Sequence, residues 1–410
     1  MKQNAYIAGV GMTPFGKHLD RGLKSLAGEA INAAVADAGI GLADLQAAYM
    51  GNAAAAVITG QVCVPGQMIL RELGVGRIPV VNVENACATA ATAFQQACTM
   101  VSAGLYDVVL ACGVEKLYHP DKLKTFSVFS GAIDVEAMDT VIAGISNRLS
   151  ALGVSADSEG AGTTRSLFMD IYAAWALAHM KKYGTTREQF AAVSAKNSVH
   201  GSLNPKAQFR DVISVQDVLN AREVSWPLTL PMCSPIGDGA AAAIIVSERR
   251  MRELGAARAV KVEASLLSSG WDYAENAESV AEGSARALYE CAGIGPSDLH
   301  CVELHDASAP SELMYYEYLG LCAKGEGGRF VEDGHSRLGG RLPVNTSGGL
   351  MRKGHPIGAT GLAQIVELTE QLRGEAGARQ VQGAKVALAE NGGGFIGTDA
   401  AAMVMTLLTR

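Results

Sequence analysis

The sequence lacks several features that would place it in common functional classes. Its eight cysteines include no Cys-x-x-Cys pair, which argues against a thiolate zinc site or a redox dithiol. No apolar run approaches the roughly 20 residues that a membrane-spanning helix needs, and no polybasic patch is present. None of the Gly-rich runs matches the Gly-x-Gly-x-x-Gly fingerprint of dinucleotide-binding proteins. A metal-thiolate, membrane-spanning or dinucleotide-dependent protein is therefore not expected.

Charged residues are also scarce. Only 18% of the 410 residues are charged and the net charge is -7, so we expect neither a nucleic-acid partner nor a membrane partner. Hydrophobic residues make up 49% of the chain, which also contains 47 glycines, and this indicates a compact, mostly buried protein. The length predicts two or three domains. Cysteines in apolar segments and a strand-like start without a visible signal peptide predict a cytoplasmic location.

A repeated phrase is the clearest long-range signal. Residues 38–45, Ala-Gly-Ile-Gly-Leu-Ala-Asp-Leu, recur at 292–299 as Ala-Gly-Ile-Gly-Pro-Ser-Asp-Leu. Each copy follows an amphipathic helix, predicted at 22–37 and at 280–291, and its first Gly fits a left-handed helix end. Further helices are predicted at 88–103 and 356–372, each followed by a continuous apolar strand, which is typical of parallel sheets covered on both faces. The two halves are therefore interpreted as a duplication.

The pattern predicts two similar α/β lobes and an insertion. The N-terminal lobe comprises 1–120 plus 236–257, the C-terminal lobe comprises 258–410, and 121–235 is an inserted loop domain. The lobes are expected to pack as an α/β/α/β/α layered body. The insertion contains a Gly/Ser/Thr-rich stretch at 155–166 and two predicted helices at 168–183 and 186–198. Long insertions of this kind usually cover or build a site.

Cys87 and His355 occupy matching places in the two halves, where a strand gives way to a helix. A thiol at a helix N-terminus feels the positive end of the helix dipole, which favours the thiolate and nucleophilic attack. His355 stands before Pro356, a residue favoured at the first helical position, and could accept the thiol proton. Free N–H groups near Cys87 could hold an oxyanion. This arrangement predicts acyl transfer through a thioester.

Two further segments could contribute to such a site. His305 and Asp306 follow the predicted strand 300–304, and the ends of parallel strands are where open α/β sheets bind ligands. A neutral His there can donate a hydrogen bond to a carbonyl on which negative charge develops. Asn391, with Gly392, Gly393 and Gly394, forms a loop whose backbone can approach a ligand closely; an ordinary tight turn is the alternative. Lys181 and Lys196 in the insertion could meet nucleotide phosphates, although a solvated helix face explains them equally well.

Several motifs occur in a characteristic order: Asn85-Ala-Cys-Ala-Thr, Cys233-Ser-Pro-Ile-Gly-Asp-Gly, Glu303-Leu-His-Asp, Asn345-Thr-Ser-Gly-Gly and Lys353-Gly-His-Pro-Ile-Gly-Ala-Thr-Gly. On these motifs the chain resembles the thiolase superfamily, and within it the sterol-carrier-protein-2 type thiolases. The resemblance covers nearly the whole chain. It implies the thiolase fold, with two duplicated βαβαβαββ lobes in five layers and an inserted loop domain.

The resemblance also implies roles for individual residues. Cys87 would be the nucleophile that accepts the acyl group, His355 would activate it, and His305 would help form the oxyanion hole together with the Gly392–Gly394 loop. Ser234, Asp306, Lys181 and Lys196 are expected to contact substrate. The substrate class implied is a 3-oxoacyl thioester of coenzyme A, bound without a metal or prosthetic group. A homodimer or tetramer is implied, and a small zinc-ribbon/OB-fold companion protein is plausible.

One departure from the family pattern concerns a second cysteine. Thiolases use it as an acid/base at the α-carbon, placed either directly after His-Asp or in the last Gly-rich loop. Here those positions are Ala307 and Asn391. General acid–base help of this kind is worth roughly 10²–10⁴-fold in rate. Another group must replace the cysteine, or the reaction differs from ordinary thiolysis.

Three functions remain open from the sequence. The first is a CoA-dependent acyltransferase that cleaves or forms a carbon–carbon bond of a 3-oxoacyl-CoA through an acyl-cysteine. The second is a decarboxylating condensing enzyme of the ketoacyl synthase type, for which a cysteine and two histidines suffice. The third is a non-catalytic acyl-CoA-binding subunit of a thiolase complex.

Overall fold

The computed structural model describes residues 1–154, 166–272 and 277–410. The Gly/Ser/Thr-rich stretch at 155–166 lies outside these residues, apart from its last position. The strands are β1 Lys2–Met12, β2 Ala47–Gly51, β3 Val80–Val83, β4 Val108–Glu115, β5 Glu223–Ser225, β6 Leu228–Thr229, β7 Gly239–Val246, β8 Val260–Ser269, β9 Cys301–Glu303, β10 Val386–Gly393 and β11 Ala402–Thr409.

The α-helices alternate with these strands. They are α1 Leu23–Ala38, α2 Ala55–Thr59, α3 Pro65–Glu72, α4 Thr89–Ser102, α5 Lys122–Ser127, α6 Met138–Ala151, α7 Leu167–Tyr183, α8 Arg187–Ser202, α9 Val215–Asn220, α10 Glu248–Leu254, α11 Val280–Ala292, α12 Ala309–Tyr318, α13 Gly327–Glu332, α14 Gly349–Lys353 and α15 Thr360–Arg373.

Nine strands form one hydrogen-bonded sheet, and its order shows the duplication. The order is β3-β2-β4-β7-β1-β8-β11-β10-β9, while β5 and β6 pair separately. From the middle outward, β1, β7, β4 and β2 of the first half correspond to β8, β11, β10 and β9 of the second. The place of β3 is taken in the second half by a single parallel bridge between Val302 and Val344. The halves meet through the antiparallel pairing of β1 with β8.

The two halves of this sheet pack on a central layer formed by helices α4 and α15, and further helices cover their outer faces. Helices α4 and α15 contact each other and strands of both halves, and together with those strands they form one continuous buried core. Helix α1 packs on the opposite face of the first half, and α11 packs on that of the second. The central strands β4 and β7 are buried along their whole length, which explains their continuous apolar sequences. The expected five-layer α/β/α/β/α arrangement is confirmed.

The sequence repeat adopts the same backbone twice. Gly39 and Gly293 end their helices in the left-handed conformation, with φ of 66° and 69°. In the short turns that follow, the Asp44 and Asp298 carboxylates each accept the backbone N–H of the glycine three residues earlier at 2.8 Å. Matching sequence therefore gives matching hydrogen bonds, as a duplication requires.

A long insertion separates β4 from β7 in the first half. It contains α5 to α9 and the β5–β6 pair, and α7 and α8 lie where helices were predicted. The domain limits 1–120, 121–235, 236–257 and 258–410 stay a prediction.

In the part of the chain that the structure describes, no helix combines the length and apolarity needed to cross a bilayer.

Two ion pairs fix the halves against each other. Arg373, at the end of α15, lies 2.6 Å from the Asp37 carboxylate of α1 and also donates to the Ala8 carbonyl at 2.9 Å. Arg258 adds a second contact to Asp37 at 2.8 Å. Because the Arg373 side chain is almost fully buried, this contact holds the outer helix of one half against the central helix of the other.

Candidate active site

The Cys87 turn is tight and held from both sides. Strand β3 ends at Val83, and Ala86 adopts a left-handed conformation with φ of 47° before a 3₁₀ turn leads into α4. The Asn85 N–H donates to the Thr89 hydroxyl at 2.8 Å, which anchors the turn to the first residue of α4. A non-glycine residue in this region is strained, and such strain is typical of turns that present a nucleophile.

The electrostatics of Cys87 differ from the sequence-based expectation. Burial, with a smaller contribution from the charge of Glu115, raises the pKa of the Cys87 thiol to about 12, although the backbone N–H of Gly394 acts to lower it. The loss of hydration outweighs the helix dipole because the sulfur lies inside the protein. The resting group is therefore a thiol, and a base must remove its proton when it attacks.

His355 is placed to be that base. Its Nδ1 lies 2.9 Å from the Thr360 hydroxyl oxygen, and that hydroxyl donates to the Pro356 carbonyl at 3.1 Å. The hydroxyl can therefore only accept from the ring, so Nδ1 carries the hydrogen and Nε2 keeps its lone pair. Burial, with the charges of His305 and Lys353, holds the pKa of His355 well below its ordinary value. The ring is neutral and able to accept a proton.

The segment around His355 differs from the predicted strand-to-helix junction, because helix α14 and not a strand precedes His355. Residues 356–359 form a turn, and α15 begins only at Thr360, four residues later than predicted. The Glu115 carboxylate accepts the Gly358 N–H at 3.0 Å and the Ala53 and Ala54 N–H groups at 3.2 Å. A carboxylate at the end of β4 thus ties the His355 turn to the half that carries Cys87.

His305 is placed to donate a hydrogen bond, whereas His355 is placed to accept a proton. The Asn391 Nδ2 donates to His305 Nδ1 at 3.0 Å, so the ring hydrogen resides on Nε2. The backbone N–H of His305 donates to the Glu390 carboxylate at 2.8 Å, which fixes the strand end. Burial lowers the pKa of His305 to about 4, so the imidazole is neutral. A neutral ring with Nε2–H can donate to a developing oxyanion.

These three side chains come together. The Cys87 sulfur and one ring nitrogen each of His305 and His355 lie within 4.8 Å of one another, and the two ring centroids are 5.2 Å apart. Because Nδ1 of each ring is engaged elsewhere, the nitrogens that face the sulfur are the two Nε2 atoms. The residues singled out in the two halves thus form one cluster. Cys with two His also suits Zn²⁺ as a donor set, and the absence of a metal stays a prediction.

The predicted loop at Asn391–Gly394 is mostly strand: Asn391, Gly392 and Gly393 end β10, and Gly394 follows it beside the cluster. Gly392, Gly393 and Gly394 line a narrow passage of about 30 Å³ that also reaches Cys87 and His305. A Cβ on Gly393 would lie 2.3 Å from the Asn85 carbonyl oxygen, so only glycine fits against the Cys87 turn. The backbone N–H groups of Gly394 and of Cys87 itself act to lower the pKa of the thiol. They are backbone donors near the reacting atom.

An apolar cavity of about 200 Å³ leads to the cluster. Cys87, His355 and Ser234 line it, together with Ala307, the position at which a second cysteine was expected. Ser234 is held by a hydrogen bond from its N–H to the Ala307 carbonyl at 3.0 Å. The cavity therefore contains the predicted substrate contact Ser234 but no thiol at Ala307.

Asp306, predicted to contact substrate, lies elsewhere. It is buried behind the cluster, where its carboxylate accepts the Leu350 N–H at 2.7 Å and the Asn197 amide at 2.9 Å. The first of these bonds satisfies the N-terminus of α14, and the prediction of a substrate contact is therefore wrong. A carboxylate after a strand end can turn inward to cap a neighbouring helix, which the sequence alone does not reveal.

The two lysines also lie away from the cluster. Lys196 is almost fully buried, where its Nζ pairs with Glu312 and donates to the Val344 carbonyl at 2.8 Å. It is a structural cation and not an exposed contact for a phosphate, so this prediction too is wrong. Lys181 is exposed near the end of α7 and lines neither cavity that reaches Cys87.

Three residues of the site were not singled out from the sequence. Thr360 orients His355, Glu390 holds the backbone of His305, and Tyr172 of α7 lines both the apolar cavity and the narrow passage. The Thr360 contact could have been suspected, since a hydroxyl one turn after a helix-start His is within reach. Tyr172 could not, because its position depends on how the insertion folds back over the other half.

Family models match both halves of the chain. The model described as "Thiolase, N-terminal domain" matches residues 5–224, and the one described as "Thiolase C-terminal domain-like" matches residues 259–406.

Curated relatives match over nearly the whole chain. "Acetyl-CoA acetyltransferase" of Methanothermobacter thermautotrophicus is 38% identical over 399 residues, covering 96% of this chain and 97% of the relative. "Sterol carrier protein 2" of Bos taurus is 37% identical and covers 95% of this chain and 70% of the relative. "Benzoylsuccinyl-CoA thiolase subunit BbsB" of Thauera aromatica is 36% identical and covers 93% of this chain and 92% of the relative.

Solved structures show the same fold. The structure titled "Ltp2-ChsH2(DUF35) aldolase" superposes with a TM-score of 0.78 at 27% identity, covering 99% of this chain and 97% of that chain. Human mitochondrial 3-ketoacyl-CoA thiolase in complex with CoA superposes with a TM-score of 0.68 at 15% identity, covering 99% of this chain and 98% of that chain. At that identity the second match concerns the fold alone.

Proposed function

The chain belongs to the thiolase family and is an acyltransferase of the thiolase type; we propose that Cys87 carries the acyl group during cleavage or formation of a carbon–carbon bond in a 3-oxoacyl-CoA. The observation that carries this proposal is the cluster of Cys87, His305 and His355, whose reactive atoms lie within 4.8 Å of one another. A thiol, a neutral base and a neutral donor are the groups that acyl transfer requires.

In the proposed reaction His355 Nε2 takes the proton of the Cys87 thiol, and the sulfur attacks the 3-oxo carbon. Removal of the proton at the moment of attack overcomes the raised pKa of the buried thiol. The protonated His355 lies beside Cys87 and stabilises the thiolate as it forms. In the return step it gives the proton back when Cys87 is released.

Negative charge on the attacked oxygen needs hydrogen-bond donors. His305 Nε2–H is one such donor, and the backbone N–H groups of Cys87 and Gly394 are others near the sulfur. Donors that are fixed before the reaction stabilise the charge without reorganisation. The scheme uses coenzyme A thioesters as substrates and no bound cofactor.

We further propose that the pantetheine arm of the substrate enters through the apolar cavity. Its volume of about 200 Å³, its apolar lining and its direct access to Cys87 and His355 suit an extended thioester arm. Ser234 offers a hydroxyl along that path. The acyl chain length and the physiological direction are left to experiment.

Mass spectrometry of the intact protein tests this function. Incubation with 3-oxoacyl-CoA substrates of several chain lengths should add the mass of one acyl group, and the Cys87→Ala variant should stay unmodified. Peptide mapping should place the group on Cys87. A chelator added in a parallel series would separate acylation from metal-dependent effects. If no chain length gave an adduct, the proposal would fail.

A second candidate is a decarboxylating condensing enzyme, favoured by one observation. Ala307 places no acid/base in the cavity, and decarboxylation creates the carbon nucleophile without removing an α-proton. Rates of condensation with malonyl-CoA and with acetyl-CoA as donor separate the two functions. Faster condensation from malonyl-CoA would favour this candidate, whereas activity with acetyl-CoA alone would favour the thiolase reaction.

We propose that the chain acts in an oligomer and with a small companion protein. The support is that one relative is named as a thiolase subunit and that one similar structure is titled as a complex with a DUF35 protein. A zinc-ribbon/OB-fold protein would be the expected companion, in addition to a homodimer or tetramer. Affinity purification from the native source, followed by mass measurement of the intact complex, tests both. If Cys87→Ala left activity of such a complex unchanged, the chain would be a non-catalytic subunit.

A further inference from the structure

This inference rests on the proposed function and concerns the proton that the leaving carbon needs. When the bond between C2 and C3 of a 3-oxoacyl-CoA breaks, the electron pair stays on the thioester fragment as an enolate. C2 must then be protonated. Cys87 is acylated at that point, His305 donates to the oxyanion, His355 holds the proton that Cys87 takes back at the end, and the methyl side chain of Ala307 has no proton to give. A further acid is required.

Tyr172 is the titratable side chain that faces both openings to Cys87. It lines the apolar cavity that contains Ala307 and also the narrow passage lined by Gly392–Gly394. Its ring packs edge-on against Trp175, with centroids 5.5 Å apart at 79°, and lies 6.5 Å from the ring of Phe168. Packing therefore fixes the ring, and no substrate contact is needed to position it.

The Tyr172 hydroxyl is uncommitted. Among the residues described by the structure it makes no hydrogen bond, although the side chain is buried. Burial, followed by the nearby Cys87 and Glu390, raises its pKa. The phenol is accordingly protonated at rest and available as an acid.

Other groups near the site are committed or lie on the wrong side. The Cys233 thiol, which lines the same cavity, donates to the Thr229 carbonyl at 3.5 Å. Tyr315 lines the narrow passage but not the cavity that contains Ala307. Tyr172 alone among the described tyrosines lines both spaces.

We propose that the Tyr172 hydroxyl donates the proton to C2 when the carbon–carbon bond breaks, and so replaces the missing second cysteine. The O–H bond of Tyr172 breaks and a C–H bond forms at C2, which releases acyl-CoA. The resulting tyrosinate then takes the proton of the incoming CoA thiol. The CoA thiolate attacks the acyl-Cys87 thioester, and the expelled Cys87 thiolate recovers its proton from His355. Protons and electron pairs balance without an external reactant.

Tyr172→Phe tests the assignment, with two reactions measured in parallel. Cleavage of a 3-oxoacyl-CoA should fall by roughly 10²–10⁴-fold, the usual range for loss of a general acid. Acylation of Cys87 by a saturated acyl-CoA expels a thiolate and needs no carbon protonation, so its rate should stay within about tenfold of the unsubstituted protein, a difference of about 1.4 kcal/mol. Tyr6→Phe, a change in β1 far from the site, is the matched control.

A rescue variant separates chemistry from structure. Tyr172→Phe combined with Ala307→Cys returns a titratable thiol to the same cavity. Its cleavage rate should be at least tenfold higher than that of Tyr172→Phe alone. Equal loss of both reactions in Tyr172→Phe, or unchanged cleavage, would overturn the assignment and leave the protonated His355 as the donor. If the unsubstituted protein formed no acyl-Cys87, the proposed function itself would fail.

Discussion

The Nδ1 atom of His355 lies 2.9 Å from the Thr360 hydroxyl oxygen, one turn further along the chain. This hydrogen bond decides which ring nitrogen faces Cys87 with a lone pair. The base of the proposed reaction is thus set by a side chain that touches neither the sulfur nor the substrate.

Thr360→Val should slow acylation of Cys87. The isosteric change removes the acceptor for Nδ1–H, and a neutral hydrogen bond is worth about 1 kcal/mol, or roughly fivefold in rate. Stopped-flow measurement of acyl-Cys87 formation checks this, and a shift of its pH profile is expected because the ring loses its fixed tautomer. Thr369→Val, a change at another buried threonine of α15, is the control. Equal rates in both variants would argue against the assigned tautomer.

Asn391→Asp should impair the oxyanion donor. A carboxylate at this place accepts a hydrogen from His305 Nδ1, so Nε2 loses its hydrogen and can no longer donate to the oxyanion. Loss of one such donor costs about 10²–10³-fold in kcat. Steady-state kinetics with a 3-oxoacyl-CoA provide the measurement, and Asn391→Gln offers a comparison that keeps an amide. Full activity in Asn391→Asp would exclude His305 Nε2–H as the donor.

Lys196→Met should reduce stability far more than Lys181→Met. The first change leaves the Glu312 carboxylate buried without its cation, which costs about 3–5 kcal/mol. The second removes an exposed charge, which is usually worth less than about 0.5 kcal/mol. Urea denaturation followed by circular dichroism compares the two. Unchanged stability of Lys196→Met with a raised KM for the CoA thioester would instead restore the phosphate-contact interpretation.

Glu390 makes the stability of the protein depend on pH. Burial raises the pKa of its carboxyl to about 8 in the folded protein, above the ordinary carboxyl value, so folding favours the protonated form. This contribution is fully present below the ordinary carboxyl pKa and is lost as the pH rises from there through about 8, a change of about 5 kcal/mol.

Comparison with Glu390→Gln isolates this effect. The amide oxygen still accepts the His305 N–H but carries no charge at any pH. The unfolding free energy of the unsubstituted protein should therefore fall relative to that of the variant between pH 5 and pH 9. The exposed Glu188→Gln serves as a control. A constant difference between the protein and Glu390→Gln across this range would contradict the prediction.

The elements and the central residues were predictable from the sequence because their signals are local. The phrase at 38–45 and its copy at 292–299 contain the glycine and aspartate that make each turn, so sequence similarity becomes structural similarity directly. Cys87 was found for the same reason, since a strand, a turn and a small-residue helix start lie within a few residues of it. Helix α14 and not a strand precedes His355, and the local Gly-His-Pro motif is what indicated that residue.

The remaining features depend on distant parts of the chain. Asp306 was assigned to substrate from the family resemblance and Lys196 from its place in the insertion, yet both are buried against segments more than 40 residues away. The pKa of Cys87 was expected to be lowered by the helix dipole. Burial beneath the insertion reverses that shift, and no local pattern reports how deeply the insertion covers the sulfur.

The equivalent positions of Cys87 and His355 before α4 and α15 have a consequence for how such a protein can arise. Two identical copies meeting across the β1–β8 seam would present the same side chain twice, either two thiols or two imidazoles. Joining the copies in one polypeptide lets each accumulate its own substitution, so an acid and a base can face each other across a nearly symmetric junction. The two halves can thus carry different reactive groups because they are joined in one polypeptide.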